Sequence, residues 1–335
     1  MLEVAPLAFF SALALTPLAR RLARATGYVD DPAARKAHAQ STPLLGGAAV
    51  AAALVIAPLL ARAMGASPIA APTTGVVVGA LIALALGLID DRRPLGPKSK
   101  LLGQLLAGAC LVYWGTSVPE LRLNPILGIL AVVAVAALLN AMNFLDNMDG
   151  ILGALVPVTA CGFAALALIH GTPVDLGLAF GLIGACAGFL VYNAPPARIF
   201  LGDAGSHLLG FSLAALALQS LQGSFTLPHL AAVLLILAYP IFDATFVVWD
   251  RVVGRRPFYV GGTDHTTHRL GKRFGKWGTI AIVSLASSLN AWLGVWTWGR
   301  SDALSIVCVL CVSALGYALF GTVLRHISPT TQFVT

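Results

Sequence analysis

Apolar residues along this chain neither alternate nor fall into narrow amphipathic stripes. They come in runs of roughly 20, separated by short stretches that collect the glycine, the proline and nearly all of the charge. A run of that length crosses about 30 Å of hydrocarbon as a helix, the element that satisfies its own backbone N–H and C=O groups where no water can. Eleven such helices are expected, over about 3–22, 44–64, 74–90, 100–116, 124–143, 151–170, 176–192, 204–222, 227–249, 277–298 and 302–324. The expected fold class is therefore all-α, a polytopic integral membrane protein in which residues 1–335 form a single transmembrane domain.

Composition agrees. Of 335 residues 58% are hydrophobic and only 10% charged, whereas soluble domains carry about 25% charged residues, and the mean hydropathy is +0.86. The five cysteines, Cys110, Cys161, Cys186, Cys308 and Cys311, fall inside apolar runs without the spacing of a zinc site or a disulfide framework. Glu3 precedes the first run and Arg20, Arg21 and Arg24 follow it, the reverse of a signal peptide, so this run is expected to stay as the first helix. A net charge of +7 does not call for nucleic acid, because basic inner loops account for it in a membrane protein.

The basic residues also set an orientation. With the N-terminus outward, the inner side holds five Lys and Arg in 20–43, four in 91–100, Arg198, seven in 251–276 and Arg325, which leaves Arg62, Arg122 and Arg300 outside. The positive-inside rule then places the N-terminus out and the C-terminus in, in a cell (inner) membrane. The segments at about 23–43, 91–100, 144–150, 193–203 and 250–276 become cytoplasmic loops, where binding work is expected. Ten of the fourteen acidic residues share that side: Asp30, Asp31, Asp90, Asp91, Asp146, Asp149, Asp203, Asp243, Asp250 and Asp264. A carboxylate at membrane depth is costly and tends to mark function, and short, rigid carboxylates suit a cation.

Several inner constellations carry candidate chemistry. GLIDDRRPLGPKSKLLGQ sets Asp90 and Asp91 at the end of the third helix, with Lys98, Lys100 and Gln104 entering the fourth. Adjacent carboxylates repel; a divalent cation or a phosphate-bound proton relieves this, so one aspartate could act as base while the other positions a ligand. The competing reading is a solvated helix end. NAMNFLDNMDG brings Asn140, Asn143, Asp146, Asn147 and Asp149 towards one helix face before Gly150, a set suited to a nucleobase, a ribose or an amide-bearing sugar, and otherwise to capping. In VYNAPPARIFLGDAGSHLLG, which opens with Asn193, glycines let backbone N–H groups approach an anion at a helix start. Asp203 there is a hard oxygen ligand for Mg²⁺, which takes one or two carboxylates and completes its shell with phosphate and water, and Phe200 offers a flat face for a base.

RVVGRRPFYVGGTDHTTHRLGKRFGK carries Arg255, Arg256, Asp264, His265, His268 and Arg269. With two imidazoles and no nearby cysteine it reads as a phosphate grip rather than a metal site, or else as a contact for anionic headgroups. GYVDDPAARKAHAQSTPLLGG adds Arg35, Lys36 and His38, and LAYPIFDATFVVWD adds Asp243 just after Pro240, which is expected to kink the ninth helix towards the site. His170, His207, His229 and His326 stand without comparable context.

From RKAH at Arg35, through DD at Asp90, NxxN with DxxDG from Asn140 to Gly150, PARIFLGDAGS and PIFD to DHTTHRL, the ordered set resembles the polyprenyl-phosphate N-acetylhexosamine-1-phosphate transferases over nearly the whole chain. The resemblance implies attack by a polyprenyl (undecaprenyl) phosphate oxygen on the β-phosphate of a UDP-N-acetylhexosamine, giving a polyprenyl-diphospho-sugar and UMP, the first membrane step of cell-surface polysaccharide synthesis. It implies Mg²⁺, with Mn²⁺ as the alternative, on Asp203 and Asp91. Asp90 and Asp91 would handle the lipid phosphate with Lys100, Arg35, Lys36 and His38, and Phe200 would stack on uracil. Asn140, Asn143, Asp146, Asp149 and Asn193 would bind nucleotide and sugar, and His265, His268 and Arg269 would grip the diphosphate or sugar.

RKAH with PLLGG, and DHTTHRL in place of three consecutive histidines, resemble the GlcNAc-1-phosphate branch more than the phospho-MurNAc-pentapeptide translocases. Asn147 stands where the family often has Gly and Thr267 where His is frequent, which leaves UDP-N-acetylfucosamine and UDP-N-acetylquinovosamine as alternative donors; separately, a homodimer is a candidate assembly. A secondary transporter is the reading from another class. It is disfavoured because the carboxylates gather at one membrane side rather than at the midplane and no motif repeats between halves.

Overall fold

Every expected apolar run is helical in the computed structural model, which describes residues 1–30, 41–65, 73–223, 225–256, 262 and 264–327. In chain order the helices are α1 (Val4–Thr26), α2 (Gly46–Ala63), α3 (Thr74–Arg92), α4 (Pro97–Cys110) continued by a π-helical turn at Leu111–Gly115, α5 (Pro119–Leu123), α6 (Pro125–Leu145), α7 (Ile151–His170), α8 (Leu176–Asn193), α9 (Gly202–Ser220), α10 (Leu227–Ile236), α11 (Ala238–Val253), α12 (Thr266–Trp298) and α13 (Ala303–Arg325). Between α1 and α2, β1 (Val29–Asp30) pairs antiparallel with β2 (Thr42–Pro43), Val29 opposite Pro43 and Asp30 opposite Thr42.

Among the described residues seven helices are long and apolar enough to span a membrane, and up to eight if the bent pair α10 and α11 is one span. The chain is thus an all-α polytopic membrane protein. The expected run of eleven is longer because α1, α4 and α9 fall short of that measure. The cause is physical: α1 ends in arginines, α4 has 14 residues before its π turn, and α9 carries Asp203, Ser206 and His207.

Two details bear on the site. The ninth expected helix breaks by 74° between α10 and α11, where Pro240 lacks the N–H that would reach the carbonyl of Ile236. The segment expected as loop up to residue 276 is instead helical from Thr266, because Asp243 of α11 accepts the Thr266 N–H at 3.0 Å and caps the first turn. Gly275, at φ 68°, then bends α12 before it continues to Trp298.

The centre of the bundle is α9, in which every residue except Asp203, Leu218 and Gln219 is buried. A Cβ on Gly87 would collide with the Ala204 backbone, so α3 meets the first turn of α9 backbone to backbone, and Gly47 of α2 does the same at Gly205. The segments before α2 and α9 are knitted together: the Phe200 N–H donates to the Pro43 carbonyl at 2.8 Å, and the Gly46 and Gly47 N–H groups donate to the carbonyls of Phe200 and Leu201 at 3.0 and 2.8 Å. By contrast α13 is peripheral, with 6% of its apolar window buried against 61% for α7.

Candidate active site

The sharp turn at Gly202, φ 74°, delivers Asp203 to the start of α9. Directly opposite, Asp91 at the end of α3 accepts the N–H groups of Asp203 at 2.7 Å and of Ala204 at 3.1 Å, one on each carboxylate oxygen. A Cβ on Gly202 would lie 2.6 Å from Asp91 Oδ2, so glycine is needed there for space as well as for φ. Asp91 therefore does the work of an N-cap from a neighbouring helix, satisfying two of the orphan donors that every helix start exposes.

Lys100 of α4 bridges the other two carboxylates, with Nζ 2.6 Å from Asp90 Oδ2 and 2.7 Å from Asp203 Oδ2. Asn143 of α6 completes the frame by donating to Asp203 Oδ1 at 2.8 Å and to Ser206 Oγ at 3.0 Å. Asp90 also accepts the Leu95 N–H at 2.6 Å, which folds the turn between α3 and α4 back on itself. A cavity of about 370 Å³ opens over this frame, lined by Asp30, Asp90, Asp91, Asp146, Asn147, Asp149, Asn193, Phe200 and Asp203 among others. Six of the aspartates expected on one membrane side thus share one chamber.

Asp146, just past the end of α6, donates its backbone N–H to the Met142 carbonyl at 3.1 Å, but its carboxylate makes no hydrogen bond or ion pair among the described residues. Its carboxyl is held well above the usual carboxylate range, first by burial and then by the negative charges of Asp203, Asp91 and Asp149. A carboxylate in that state is short of a cation. No three His, Cys, Asp or Glu side chains among the described residues converge as a ready-made metal cluster, yet Mg²⁺ needs only one or two carboxylates when phosphate and water supply the rest. Asp146 and Asp203 fit that requirement by donor type, although both Asp203 oxygens are engaged, by Lys100 and Asn143. Asp91, expected as the second ligand, has both oxygens engaged by the α9 N-terminus, and Lys100, expected on the lipid phosphate, is engaged by carboxylates.

On the other flank, Asp149 accepts the Ala197 N–H at 3.1 Å and Lys276 Nζ at 2.7 Å. Asn193 ties two loops together, accepting the Gly150 N–H at 3.0 Å and donating to the Ile199 carbonyl at 2.9 Å. Phe200 lines the cavity as expected, whereas Asn140 does not. It lies one turn deeper, with Nδ2 2.6 Å from Gln104 Oε1 and 3.2 Å from the Ala136 carbonyl. Arg35, Lys36 and His38 lie outside the described residues.

The histidines form a second cluster beside the cavity. Fully buried Asp243 accepts His265 Nδ1 at 2.9 Å and both the N–H and the hydroxyl of Thr266, whose Oγ1 also meets the Tyr239 hydroxyl at 3.0 Å. The His265 ring stands edge-on to Phe144 and to His268, each at 6.0 Å between centroids. The Thr267 hydroxyl donates to Asn147 Oδ1 at 2.6 Å, and Asn147 lines the cavity, so the α12 start is fastened to the chamber wall. Arg251 clamps Asp264 with Nε and Nη2 at 2.9 and 2.8 Å. Burial works against that charge, but the guanidinium outweighs it and keeps the Asp264 carboxyl below its usual range. Arg269 turns away from the cavity: Nη1 donates to the carbonyls of Leu324, Arg325 and Ile327, Nε to that of Asp264, and Nη2 lies 2.9 Å from Asp250.

Sequence reasoning passed over His207 and gave Gln104 no role, although both are fully buried and hydrogen-bonded to each other at 3.0 Å. The available signal was spacing, since each lies four residues beyond a site residue, Asp203 and Lys100.

The model of glycosyl transferase family 4 matches residues 73–221. The chain is 35% identical over 269 residues, 77% of its length and 74% of the relative's, to a probable undecaprenyl-phosphate N-acetylglucosaminyl 1-phosphate transferase of Bacillus subtilis. It is 34% identical to a phospho-N-acetylmuramoyl-pentapeptide-transferase of Symbiobacterium thermophilum, over 83% of this chain and 89% of the relative. An undecaprenyl-phosphate α-N-acetylglucosaminyl 1-phosphate transferase of Escherichia coli O157:H7 is 27% identical over 94% of this chain and 89% of its own length.

Proposed function

Since the chain belongs to glycosyl transferase family 4, the polyprenyl-phosphate N-acetylhexosamine-1-phosphate transferases, we propose that it transfers GlcNAc-1-phosphate from UDP-GlcNAc to undecaprenyl phosphate with release of UMP, in a Mg²⁺-dependent reaction. As a member it is a membrane phosphotransferase that acts on a polyprenyl phosphate. The observation that carries the donor, the cation and the leaving group is the chamber that gathers Asp90, Asp91, Asp146, Asp149 and Asp203 beside Phe200.

Phosphoryl transfer asks chiefly for positioning and for neutralisation of charge. In the proposed reaction an oxygen of the lipid phosphate forms a bond to the β-phosphorus while the bond from that phosphorus to the bridging oxygen breaks, and the electron pair leaves with UMP. Asp203 and Asp146 would hold the cation, which when bound offsets the charge of the diphosphate and of the leaving phosphate. Lys100 holds Asp90 and Asp203 in register and supplies positive charge beside them. Phe200 presents its ring to uracil. His265 and His268, anchored by Asp243 and by the Thr267 contact to Asn147, face the sugar and diphosphate from the side. Asp91 holds the N-terminus of α9 and so the place of Asp203, and Arg269 closes α13 onto the histidine segment. Orientation follows the basic residues, with the chamber on the cytoplasmic side of the inner membrane and eleven crossings in all.

The test is UMP release in detergent from a panel of UDP-sugars with undecaprenyl phosphate. UDP-GlcNAc is expected to be the preferred donor and chelation to abolish turnover. Preference for UDP-MurNAc-pentapeptide or for a 6-deoxy-N-acetylhexosamine, or turnover undiminished in chelator, would overturn the corresponding part.

A further inference from the structure

The frame around Asp203 has a second storey. One helical turn deeper into the bundle, the same three helices are joined again, by Gln104 of α4, His207 of α9 and Asn140 of α6. Gln104 lies four residues past Lys100, His207 four past Asp203, and Asn140 three before Asn143, so the two layers are in register because residues three or four apart share a helix face. The upper layer is charged and borders the cavity. The lower layer is neutral, and its His207 and Gln104 are fully buried.

Its hydrogen bonds admit a single arrangement, with the Asn140 amide donating towards both ends. The chain starts at the Ala136 carbonyl and ends at the Asp203 carbonyl, both of which can only accept. Asn140 Nδ2 donates to Ala136 and to Gln104 Oε1, at 3.2 and 2.6 Å. That turns Gln104 Nε2 towards His207 Nε2 at 3.0 Å, and His207 Nδ1 towards the Asp203 carbonyl at 2.7 Å. His207 must therefore be neutral, with its proton on Nδ1. A proton on Nε2 would face the Gln104 N–H, and flipping Gln104 would set its NH₂ against that of Asn140. No second arrangement satisfies all the groups.

Stability alone does not account for such a chain. A buried polar network is costly if any bond is unmade, and apolar residues of similar volume are commonly neutral or stabilising in its place. What the chain does provide is a single fixed spacing between α4, α6 and α9, the helices that supply Lys100, Asn143 and Asp203. We propose that His207, through Gln104 and Asn140, is a positioning residue that sets the separation of Lys100, Asp203 and Asn143 one turn above it. This rests on the transferase reading above.

The experiment measures kcat and KM for the UDP-sugar in His207→Leu, Gln104→Leu and their double variant, with His207→Asn as the conservative change and Ser212→Ala as a control. Asn keeps a donor for the Asp203 carbonyl; Ser212 is a buried hydroxyl elsewhere on α9. Either leucine variant is expected to lose at least tenfold in kcat with KM within twofold, the double variant to be no worse than the poorer single, His207→Asn to recover most of the loss, and Ser212→Ala to leave kcat unchanged. Wild-type kcat in folded His207→Leu, equal effects on kcat and KM, or multiplying losses in the double variant would overturn the proposal. If the leucine variants do not fold, ¹⁵N spectra of histidine-labelled wild type decide, with His207 assigned by difference from His207→Asn: protonation on Nε2 rather than Nδ1 overturns it. Absence of UMP release by wild type would instead count against the transferase reading, and the ¹⁵N result stands apart from it.

Discussion

Replacing Lys100 by Met keeps the length of the side chain and removes its charge, which isolates the electrostatic part of its bridge. With Nζ 2.6 Å from Asp90 Oδ2 and 2.7 Å from Asp203 Oδ2, those two carboxylate oxygens stand at most about 5 Å apart. Two unit charges at that separation repel by ~3 kcal/mol at an effective dielectric of about 20. In the wild-type frame the ammonium cancels this repulsion; in Lys100→Met it remains and pushes the Asp90 and Asp203 side chains of α3 and α9 apart at the edge of the chamber. Since about 1.4 kcal/mol corresponds to tenfold in rate, the loss in kcat/KM should be on the order of 10²-fold. UMP release at saturating Mg²⁺, on enzyme whose fold is checked by thermal unfolding, is the assay. A folded Lys100→Met enzyme within threefold of wild type would instead show that the bridge is an idle contact.

Three further outcomes follow from the same geometry. Asp91→Asn leaves a single acceptor for the two N–H groups at the start of α9, so thermal unfolding should report a loss of about 1–3 kcal/mol together with lost activity; unchanged stability would return Asp91 to a purely catalytic role. Arg269→Lys cannot serve three carbonyls and Asp250 at once, and should lower stability by about 2–3 kcal/mol while the KM for UDP-sugar stays within twofold; a tenfold rise in KM at unchanged stability would make Arg269 a substrate ligand after all. Asp146→Asn in chelator should raise the unfolding temperature at neutral pH, because a carboxyl whose folded pKa is raised destabilises the protein increasingly as pH climbs from the unfolded value through the folded one. The gain should fade below the ordinary carboxylate range, and a gain that grew on acidification would contradict the raised value.

Much of this fold is written in its hydropathy, since a 20-residue apolar run in lipid has few alternatives to a helix. Pro240 announced the break before α11 in the same local way. What escaped was set by contacts distant in sequence: the start of α12 at Thr266 depends on Asp243 more than twenty residues earlier, and no propensity of DHTTHRL reveals it. The candidate site shows the same division. Asp90, Asp91, Asp146, Asp149, Asp203 and Phe200 were legible as a group because hard oxygen donors at helix ends are costly without use. Their individual tasks were not legible, because whether Asp91 faces a cation or two backbone N–H groups depends on how closely α3 meets α9, which Gly87 and Gly202 decide. Asn140 and Arg269 looked like ligands by type and are engaged by protein groups, while His207 looked idle and closes a chain of buried bonds.

The docking of Arg269 onto the end of α13 also orders events in time. A membrane protein is made from its N-terminus, and α12 leaves the ribosome before α13. Until the carbonyls of Leu324, Arg325 and Ile327 arrive, the Arg269 guanidinium lacks three of its acceptors, and the start of α12 is held by Asp243 and Asn147 without them. The carboxylate chamber, built wholly from residues up to Asp203, is in place long before that. A half-made chain can thus hold its carboxylate chamber while the start of α12 still lacks its tie to α13.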